Sequence, residues 1–516
     1  MCGNEQRVTA RWLVPVAGPV LENGTLVLVD GQIVELWPKK DSRAIELGQV
    51  ALLPGLVNAH VHTEFSGLER PLSVEGGFFR WIERVVQWRR RGEKNSGAIQ
   101  QGLRECYEGG AAGVAEIATE EAAVEQARKT AEALALDLVV FRELYGFQEE
   151  QVAERLEVAQ RHVLQTTEAL SVTPPPTLHT RTVCLNSGSS AVSSSARNAD
   201  SPSCSNAGTS TASNGTSTAS NGTSTASNTN TSVGADIELS GSFLSVPSSE
   251  AASRNAVEQL GSSGSSVEPY TQARAPSERQ NTNRSCVVYG LSPHAPYTVH
   301  PSLFEGLVRL AKQACVPVAM HLAESREERE MLEQGRGPCV ELLKRLEVWN
   351  DELRRRSISD YLRELAELDR ALVVHGNVLN ESELRFLAAH QNLTLVYCAR
   401  THARFSHGLH PWLRLLELGG RVALGTDSRA SNPDLSLWNE LRFLAGQYCV
   451  EVERLVELGT RAGAQALGLE HRLGTLEPGR PARVLVVPLP DGASFQQLFQ
   501  CKRPYWLSER LNAQTA

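Results

Sequence analysis

The sequence predicts an α/β fold, a (β/α)8 TIM-like barrel with a small β-sandwich domain formed by the two chain ends. Eight apolar runs of strand length alternate with helical patterns, which is typical of βαβ units and a parallel sheet. Short strand-like runs also occur near both ends of the chain. The length of 516 residues is enough for a large barrel and one accessory domain.

The two chain ends, residues 1–53 and 473–516, are predicted to form one composite β domain. In the stretch TLVLVDGQIVELW, two β runs flank Asp30 and Gly31, a dipeptide that favours a tight hairpin turn. Residues 474–489, GTLEPGRPARVLVVPL, have the same strand-like character. The apolar run at residues 12–21 is broken by prolines and a glycine, which favours a strand and turn over a signal peptide.

The barrel is predicted over residues 54–472. Helical patterns separate its strands, most clearly at residues 120–134, 302–314 and 381–389. Because enzymes with this fold keep their chemistry at the C-terminal strand ends, polar residues at the ends of the apolar runs are candidate site residues. The eight predicted strands are residues 53–58, 113–117, 136–144, 287–292, 317–321, 371–376, 394–398 and 422–427.

An insert at residues 186–285 interrupts the barrel. It is dominated by Ser, Thr, Asn, Ala and Gly and repeats the sequence TSTASNG almost three times. Such a composition cannot bury enough apolar surface to offset the entropy lost on ordering, so the insert is expected to be disordered. It follows the helical stretch 149–166 and precedes the fourth strand, which predicts a position at the N-terminal face of the barrel, away from the site.

Composition excludes several classes of partner. The net charge is -8 and no basic stripe stands out, which argues against nucleic acid. Ten cysteines without a CxxC pair suit a reducing compartment, so a cytoplasmic location is expected. No run reaches the roughly 18 apolar residues that a membrane span needs. A small-molecule substrate is the remaining expectation, and a homo-oligomer is one of the alternatives that the sequence leaves open.

Two histidines follow the first predicted strand. His60 and His62 are two residues apart, so on a strand they point to the same side, about 6.6 Å apart along the chain. Two imidazoles placed in this way can bind one metal ion. The alternative is a pair of unrelated histidines at a strand end.

His321 and Glu324 follow the fifth strand. Glu324 comes three residues after His321, so a continuing strand would point it the other way. The chain must therefore turn after His321 if the two side chains share one opening. The alternative is that Glu324 is a solvated residue that caps the following charged helix.

His375 ends the sixth predicted strand and Asp427 ends the eighth. A carboxylate after an apolar strand is destabilising unless it is paired, and a metal ion is a natural partner. Taken singly, His375 could be a hydrogen-bonded core histidine and Asp427 a helix cap. Four strands of one barrel nevertheless end in metal-binding or acid–base residues, and this shared position favours a metal site.

Five segments carry a family resemblance: PGLVNAHVHTEFSG, LSPHAPYT, AMHLAES, VVHGNVL and LGTDSRASNPDLSLWNELR. In this order they resemble the amidohydrolase superfamily, specifically the cytosine deaminase, atrazine chlorohydrolase and S-adenosylhomocysteine deaminase branch. The resemblance covers the chain apart from the insert. It implies a metal-dependent hydrolase that acts on carbon–nitrogen bonds other than peptide bonds.

The resemblance implies one divalent metal ion. Binuclear relatives add a carboxylated lysine at an inner strand end, and between His62 and His294 this chain has only Lys94 and Lys129, neither in a predicted strand. Zinc suits a set of three histidines and one aspartate, and iron is the alternative because ligand type does not separate the two. The implied ligands are His60, His62, His321 and Asp427.

The implied reaction is deamination of an aminated N-heterocycle or purine nucleoside, of the adenosine, S-adenosylhomocysteine, methylthioadenosine or aminodeoxyfutalosine type. The ion would lower the pKa of a bound water from about 15.7 to about 7, and the hydroxide would attack the carbon of a C–N bond. Asp427 would accept a proton, Glu324 would shuttle protons and His375 would stabilise the reacting oxygen. His294 would line the substrate pocket, although on sequence alone it could equally be structural.

Two features leave the substrate open. At the seventh strand this chain reads YCARTH, residues 397–402, where the branch usually has Cys-Pro before a polar pair. The residues Glu64, Phe65 and Ser66 are similar to those of aminodeoxyfutalosine deaminases. Two alternatives to deamination remain: removal of another leaving group, as in a triazine chlorohydrolase, and a non-catalytic scaffold protein on the same fold, which need not retain an ion.

Overall fold

The computed structural model describes residues 5–91, 97–172, 284–501 and 503–515. All of them belong to one compact unit that includes both chain ends. The predicted disordered insert lies outside the described residues as far as residue 283, so its disorder stays a prediction. Within the described ranges, no helix is both long and apolar enough to cross a membrane.

A parallel sheet forms the centre of the fold and curls into a TIM-like barrel. Its strands follow the order β15-β14-β13-β12-β11-β10-β9-β8-β16. They are β8 (Leu56–His62), β9 (Ala111–Ala118), β10 (Asp137–Leu144), β11 (Val287–Pro293), β12 (Val318–Leu322), β13 (Ala371–His375), β14 (Leu393–Tyr397), β15 (Val422–Leu424) and β16 (Asp427–Ser428). Seven predicted strands agree with β9–β15 to within three residues at each end. The prediction for the first strand, residues 53–58, differs more: β8 begins three residues later and continues to His62, and Val50–Pro54 form a separate strand.

The eighth barrel strand is divided into β15 and β16, and together they close the barrel. β15 pairs with β14, whereas β16 pairs with β8. Between them, the Gly425 N–H donates to the Tyr397 carbonyl and the Thr426 N–H donates to the His60 carbonyl. Gly425 lies against His60 so closely that an added Cβ would be 2.9 Å from the His60 Cβ. The LGTD sequence therefore needs its glycine where the first and last strands meet.

Helices connect the barrel strands and cover their outer side. Three predicted helices, at residues 120–134, 302–314 and 381–389, are confirmed as α3, α5 and α9. The helices are α1 (Phe78–Arg90), α2 (Ala98–Glu108), α3 (Glu121–Leu134), α4 (Val152–Val172), α5 (Pro301–Ala314), α6 (Arg326–Gln334), α7 (Pro338–Arg345), α8 (Ile358–Leu365), α9 (Glu381–Ala389), α10 (Ala399–Phe405), α11 (Trp412–Glu417), α12 (Leu437–Gln447), α13 (Val452–Glu457), α14 (Gly463–Leu467) and α15 (Leu507–Thr515). A π-helical turn at Leu458–Ala462 joins α13 to α14, and short 3-10 helices occupy Thr63–Gly67, Glu149–Gln151, Asp351–Arg354 and Phe495–Gln500.

The chain ends form two further sheets, with the strand orders β5-β4-β1-β6 and β18-β17-β7-β2-β3. The predicted hairpin is confirmed, since β4 and β5 pair antiparallel around Asp30 and Gly31, both at positive φ. In the second sheet, β17 from the C-terminal end pairs antiparallel with β7 from the N-terminal end. The strands are β1 (Glu5–Thr9), β2 (Trp12–Leu13), β3 (Leu21–Glu22), β4 (Thr25–Val29), β5 (Gln32–Trp37), β6 (Ile45–Glu46), β7 (Val50–Pro54), β17 (Val484–Pro488) and β18 (Tyr505–Trp506).

Candidate active site

The C-terminal ends of three barrel strands bring the four predicted metal-binding side chains together. The Nε2 atom of His321, on β12, lies 3.2 Å from that of His60 and 3.3 Å from that of His62, both on β8. Asp427, at the start of β16, places Oδ1 4.0 Å from the His62 Nε2. These four residues are buried. His60 and His62 are two residues apart on β8, and both imidazoles therefore point towards the His321 Nε2, as the sequence predicts.

The three histidines fit a metal ion in protonation as well as in spacing. The Nδ1–H of His321 donates to the His294 carbonyl at 2.9 Å, so its Nε2 carries a lone pair. The buried Nδ1 atoms of His60 and His62 have no hydrogen-bond partner among the described residues. Nitrogens bound tetrahedrally to zinc at about 2.0–2.1 Å lie about 3.3 Å apart, which matches the observed spacing. Burial lowers the pKa of all three imidazoles, which favours the neutral form that a metal requires.

Asp427 is held by hydroxyl groups, and among the described residues no Lys or Arg side chain forms an ion pair with it. The Ser431 hydroxyl donates to Oδ2 at 2.5 Å, and Thr401 lies 3.0 Å from that hydroxyl. Burial raises the pKa of Asp427 to about 7, against the opposing effect of these hydroxyls. Its backbone has a φ of 57°, which is uncommon for a residue other than glycine. An acid in this position can exchange a proton near neutral pH or pair with a cation.

Glu324 lies beside the histidine cluster, between Tyr297 and His375. Its Oε1 is 3.4 Å from the His375 Nε2, and its Oε2 accepts a hydrogen bond from the Tyr297 hydroxyl at 3.4 Å. Glu324 is buried, and burial raises its pKa well above the usual range, with a further contribution from Asp427. A carboxyl group in these surroundings can carry a proton at neutral pH. It is therefore suited to general acid–base chemistry.

A sharp turn after β12 gives Glu324 its position, as the spacing in the sequence requires. Ala323 has a φ of 55°, and its N–H and that of Glu324 donate to the two oxygens of Glu328 at 2.9 and 2.7 Å. Ser325 caps α6 by accepting a hydrogen bond from the Glu328 N–H. The cap is thus Ser325, and Glu324 is not the solvated cap that the alternative interpretation required.

His294 lies at the edge of the same cavity, beside residues that the sequence analysis missed. Glu143, at the end of β10, has an Oε1 3.9 Å from the His294 Nε2 and an Oε2 3.9 Å from the Arg89 guanidinium. Arg89, on α1, donates to Glu64 and lies over the Phe65 ring. Glu143 carries the same sequence signal as Asp427, a carboxylate near the end of an apolar strand, and that signal could have identified it.

His410 is a further residue that the sequence analysis missed. Its Nδ1 accepts a hydrogen bond from the Trp412 N–H at 3.0 Å, so the proton is on Nε2. The Nε2–H donates to the carbonyl of His375 at 2.8 Å. His375 has a φ of 71°, so His410 stabilises an unusual backbone conformation beside Glu324. No motif in the sequence indicates this contact, because it joins residues 35 positions apart.

The two remaining sequence expectations concern the seventh strand and the lysines. The YCARTH segment contacts residues next to Asp427. The Thr401 hydroxyl forms a hydrogen bond with that of Ser431, and Arg400 forms ion pairs with Asp434 and Glu440. Lys129 lies exposed on α3 and pairs with Glu125 at 3.2 Å, so it is not in a position to bridge two ions. Lys94 lies outside the described residues.

Comparison with protein families identifies the chain. The profile of the amidohydrolase family matches residues 204–503, more than half of the chain. The chain belongs to the amidohydrolase family. The match begins after His60 and His62, so the placement of these two histidines in the site rests on the geometry described above.

Individual relatives are similar over part of the sequence or over the whole fold. The 5-methylthioadenosine/S-adenosylhomocysteine deaminase of Pyrococcus furiosus is 30% identical over 216 residues, which are 40% of this chain and 46% of that protein. The chain thus matches less than half the length of such curated relatives. The aminofutalosine deaminase of Helicobacter pylori, solved with methylthio-coformycin, superimposes with a TM-score of 0.65 at 19% identity and 97% coverage of both chains. An adenosine deaminase from Xanthomonas campestris with bound zinc gives a TM-score of 0.59 at 18% identity, covering 96% of this chain and 89% of the other.

Proposed function

We propose that this amidohydrolase is a metal-dependent deaminase of an aminated N-heterocycle or purine nucleoside. The observation that carries the proposal is the buried contact between Glu324 and His375 directly beside three converging imidazoles. A proton carrier next to a metal-binding cluster is what hydrolytic removal of an amino group requires. The names of relatives in sequence and in fold, which include deaminases of adenosine-type substrates, support the same reaction class.

One divalent ion would be held by His60, His62, His321 and Asp427. When bound there, it would lower the pKa of a coordinated water and so supply a nucleophile near neutral pH. Asp427 would take the proton that the attacking water releases, and the His375 imidazole would face the reacting oxygen. These roles follow from the proximity of both side chains to the converging nitrogens.

Glu324 would deliver protons to the substrate. The oxygen of water bonds to the ring carbon, the bond from this carbon to the amino group breaks, and ammonia leaves. Of the two protons of water, one ends on the ring nitrogen and the other on the departing ammonia. Glu324 can deliver both in turn because its raised pKa lets it hold a proton at the start, and Tyr297 fixes its orientation. It would take the second proton from the oxygen that has bonded to the ring carbon, and the proton held by Asp427 would return to Glu324 after ammonia leaves.

The proposal includes finer points about the molecule. Zinc is the proposed ion, with iron as the alternative, since both accept histidine and aspartate ligands. A cytoplasmic location and a small-molecule substrate are proposed from composition. Residues 1–53 and 473–516 are proposed as one composite β-sandwich domain, supported by the pairing of β17 with β7. Residues 54–472 are the proposed hydrolase barrel, interrupted by the insert at residues 186–285.

Ammonia release from purified, zinc-loaded protein tests this function. The panel is adenosine, methylthioadenosine, S-adenosylhomocysteine, guanine, cytosine and aminodeoxyfutalosine, with Glu324→Gln as the inactive control. We expect ammonia from at least one purine nucleoside and none from the control. Release of chloride or an alkylamine from a triazine, without ammonia from any member of the panel, would show that the site removes a different leaving group.

A further inference from the structure

Asn58 is a buried amide two residues before His60, and the proposed reaction does not use it. It is 0% exposed. Its Nδ2 donates to the Thr426 hydroxyl at 2.8 Å and to the Cys106 sulfur at 3.8 Å. Its Oδ1 accepts from the backbone N–H of Thr426 at 3.2 Å and from that of His60 at 3.4 Å. An amide has two N–H donors and two acceptor lone pairs, so each of them has a partner and the side chain is held in one orientation.

The strand around Asn58 is irregular, which explains why a side chain contacts the His60 N–H. In the pairing of β8 with β9, Asn58 lies opposite Val114 and Val61 lies opposite Glu116. Three steps along β8 thus correspond to two along β9, so residues 59 and 60 form an irregularity of the β-bulge type. The ladder of hydrogen bonds is disrupted in such a segment. Asn58 therefore supplies a contact at the residue that carries the first predicted metal ligand.

Thr426 lies on the other side of the site, directly before Asp427. Its N–H donates to the His60 carbonyl at 3.0 Å as well as to Asn58. Asn58 and Thr426 are thus joined by two reciprocal hydrogen bonds, since each residue donates to the other. β16 is only two residues long, so few ladder hydrogen bonds hold Asp427 against β8. The two residues that are bonded to each other therefore flank two of the predicted ligands.

We propose that the Asn58–Thr426 pair sets the spacing of the His60 and Asp427 side chains and thereby the affinity of the site for its metal ion. Both members are positioning residues, since the converging ligand atoms belong to other side chains. Groups that orient metal ligands from outside the ligand set typically contribute about 10–100-fold in metal affinity. This inference rests on the proposed function and extends it from the ligands to the contacts that hold their backbone.

Thr426→Val and Thr426→Ser are the decisive variants. Valine has the shape of threonine without the hydroxyl, so the Asn58 Nδ2 loses its acceptor, whereas serine keeps that acceptor. Zinc and cobalt affinities of the full-length protein are measured by competition with a chelator of known affinity, and the visible spectrum of the cobalt-loaded protein reports the ligand geometry. We expect Thr426→Val to bind both ions about 10–100-fold more weakly and to change the cobalt spectrum. Thr426→Ser should restore both properties.

Thr25→Val is the matched control for a loss of stability alone. Thr25 is a buried threonine of β4 in a chain-end sheet, and its hydroxyl lies 2.8 Å from that of Thr9 and accepts from the Asp41 N–H at 3.0 Å. Removal of its hydroxyl leaves buried partners unpaired, as in Thr426→Val, so both variants should lower the melting temperature of the metal-free protein. Thr25→Val should bind zinc with the affinity of the wild type.

Three outcomes overturn the proposal. If Thr426→Val lowers the melting temperature but binds zinc as tightly as the wild type, the pair is a structural contact only, and the proposed metal centre still stands. If Thr25→Val weakens zinc binding as much as Thr426→Val does, general destabilisation explains the effect. A wild-type protein that binds neither zinc nor cobalt contradicts the metal centre as well. Thr426→Ala gives the same comparison if Thr426→Val does not fold, because it places no methyl group against the Asn58 amide.

Discussion

Two buried aspartates, Asp41 beside the chain-end sheets and Asp427 at the closure of the barrel, have opposite surroundings. Their exposure is similar, at 8% and 6%. Asp41 accepts hydrogen bonds from the Arg43 backbone N–H and from the guanidinium of Arg7 at 2.6 Å, and these lower its pKa to about 2. Asp427 has hydroxyl partners, and burial raises its pKa to about 7.

The difference separates an acid whose charge the protein itself compensates from an acid that has no Lys or Arg partner among the described residues. Around Asp41, cations of the protein itself neutralise the charge, so the folded chain alone stabilises the carboxylate. Around Asp427, the neighbouring side chains are hydroxyls and neutral imidazoles, so a cation from outside is needed for the same effect.

The largest expected effect is that of Asp427→Asn. The wild-type protein should hold one divalent ion per chain, and the variant should lose most of the ion and turnover while remaining folded. The reason is that an amide neither neutralises the ion nor accepts a proton from water. Elemental analysis, circular dichroism and ammonia release measure the three quantities. Two tightly held ions in the wild type, or none after growth with zinc, would contradict the proposed centre.

Glu324→Gln can be compared with Asp427→Asn, because it removes the proposed proton carrier but leaves all four proposed metal ligands in place. Turnover should fall by at least on the order of 100-fold, the lower range for a general acid–base group. Metal content and the melting temperature should stay close to those of the wild type. Near-normal turnover with the preferred substrate would assign Glu324 a purely structural role.

His410→Leu tests a residue that acts on the site through the backbone of His375, because leucine has no N–H to donate. Loss of one hydrogen bond to the His375 carbonyl, worth about 1–1.5 kcal/mol, should lower kcat by on the order of tenfold with little change in KM. His162→Leu is the control, since His162 is a buried histidine near the Val140 carbonyl in the middle of β10. If both variants lower kcat equally, His410 has no special connection to catalysis.

Asp41→Asn should change stability and leave turnover unaffected. Because the pKa of Asp41 is lowered on folding, its contribution is present above the unfolded value of about 4 and is lost as pH falls towards 2. The variant should therefore be less stable than the wild type at pH 7, and the difference should shrink as the pH is lowered from 4 to 2. Chemical unfolding across this pH range measures it, and a constant difference would rule out the ion pair as its cause.

The smallest effect is expected from removal of the low-complexity insert. The cut should end at residue 283, because the Arg284 carbonyl accepts a hydrogen bond from Arg472 and the Cys286 N–H donates to Asp137. With residues 186–283 replaced by a short Gly-Ser linker, turnover should be nearly unchanged and stability should shift by only about 1–2 kcal/mol. A soluble variant that keeps its metal but loses turnover would show that the insert reaches the site.

The strands and the strand-end residues were predictable from sequence because both depend on local patterns. Apolar runs rich in Val and Leu marked the barrel, and His60, His321 and Asp427 stood out where those runs ended. His410 was not predictable, since its importance arises from a contact with a main-chain carbonyl across two loops. Glu143 was open to the same local argument, since it is a carboxylate near the end of the apolar strand β10.

The left-handed backbone at Asp427 and His375 also restricts how this protein can evolve. Such φ values are least unfavourable for glycine, asparagine, aspartate and histidine, and a β-branched residue would strain the chain. A single-base change converts an aspartate codon to asparagine, which fits the same backbone while abolishing the charge. If Asp427 has the proposed role, descendants that lose catalysis by this route would keep an intact barrel and would differ at this one position.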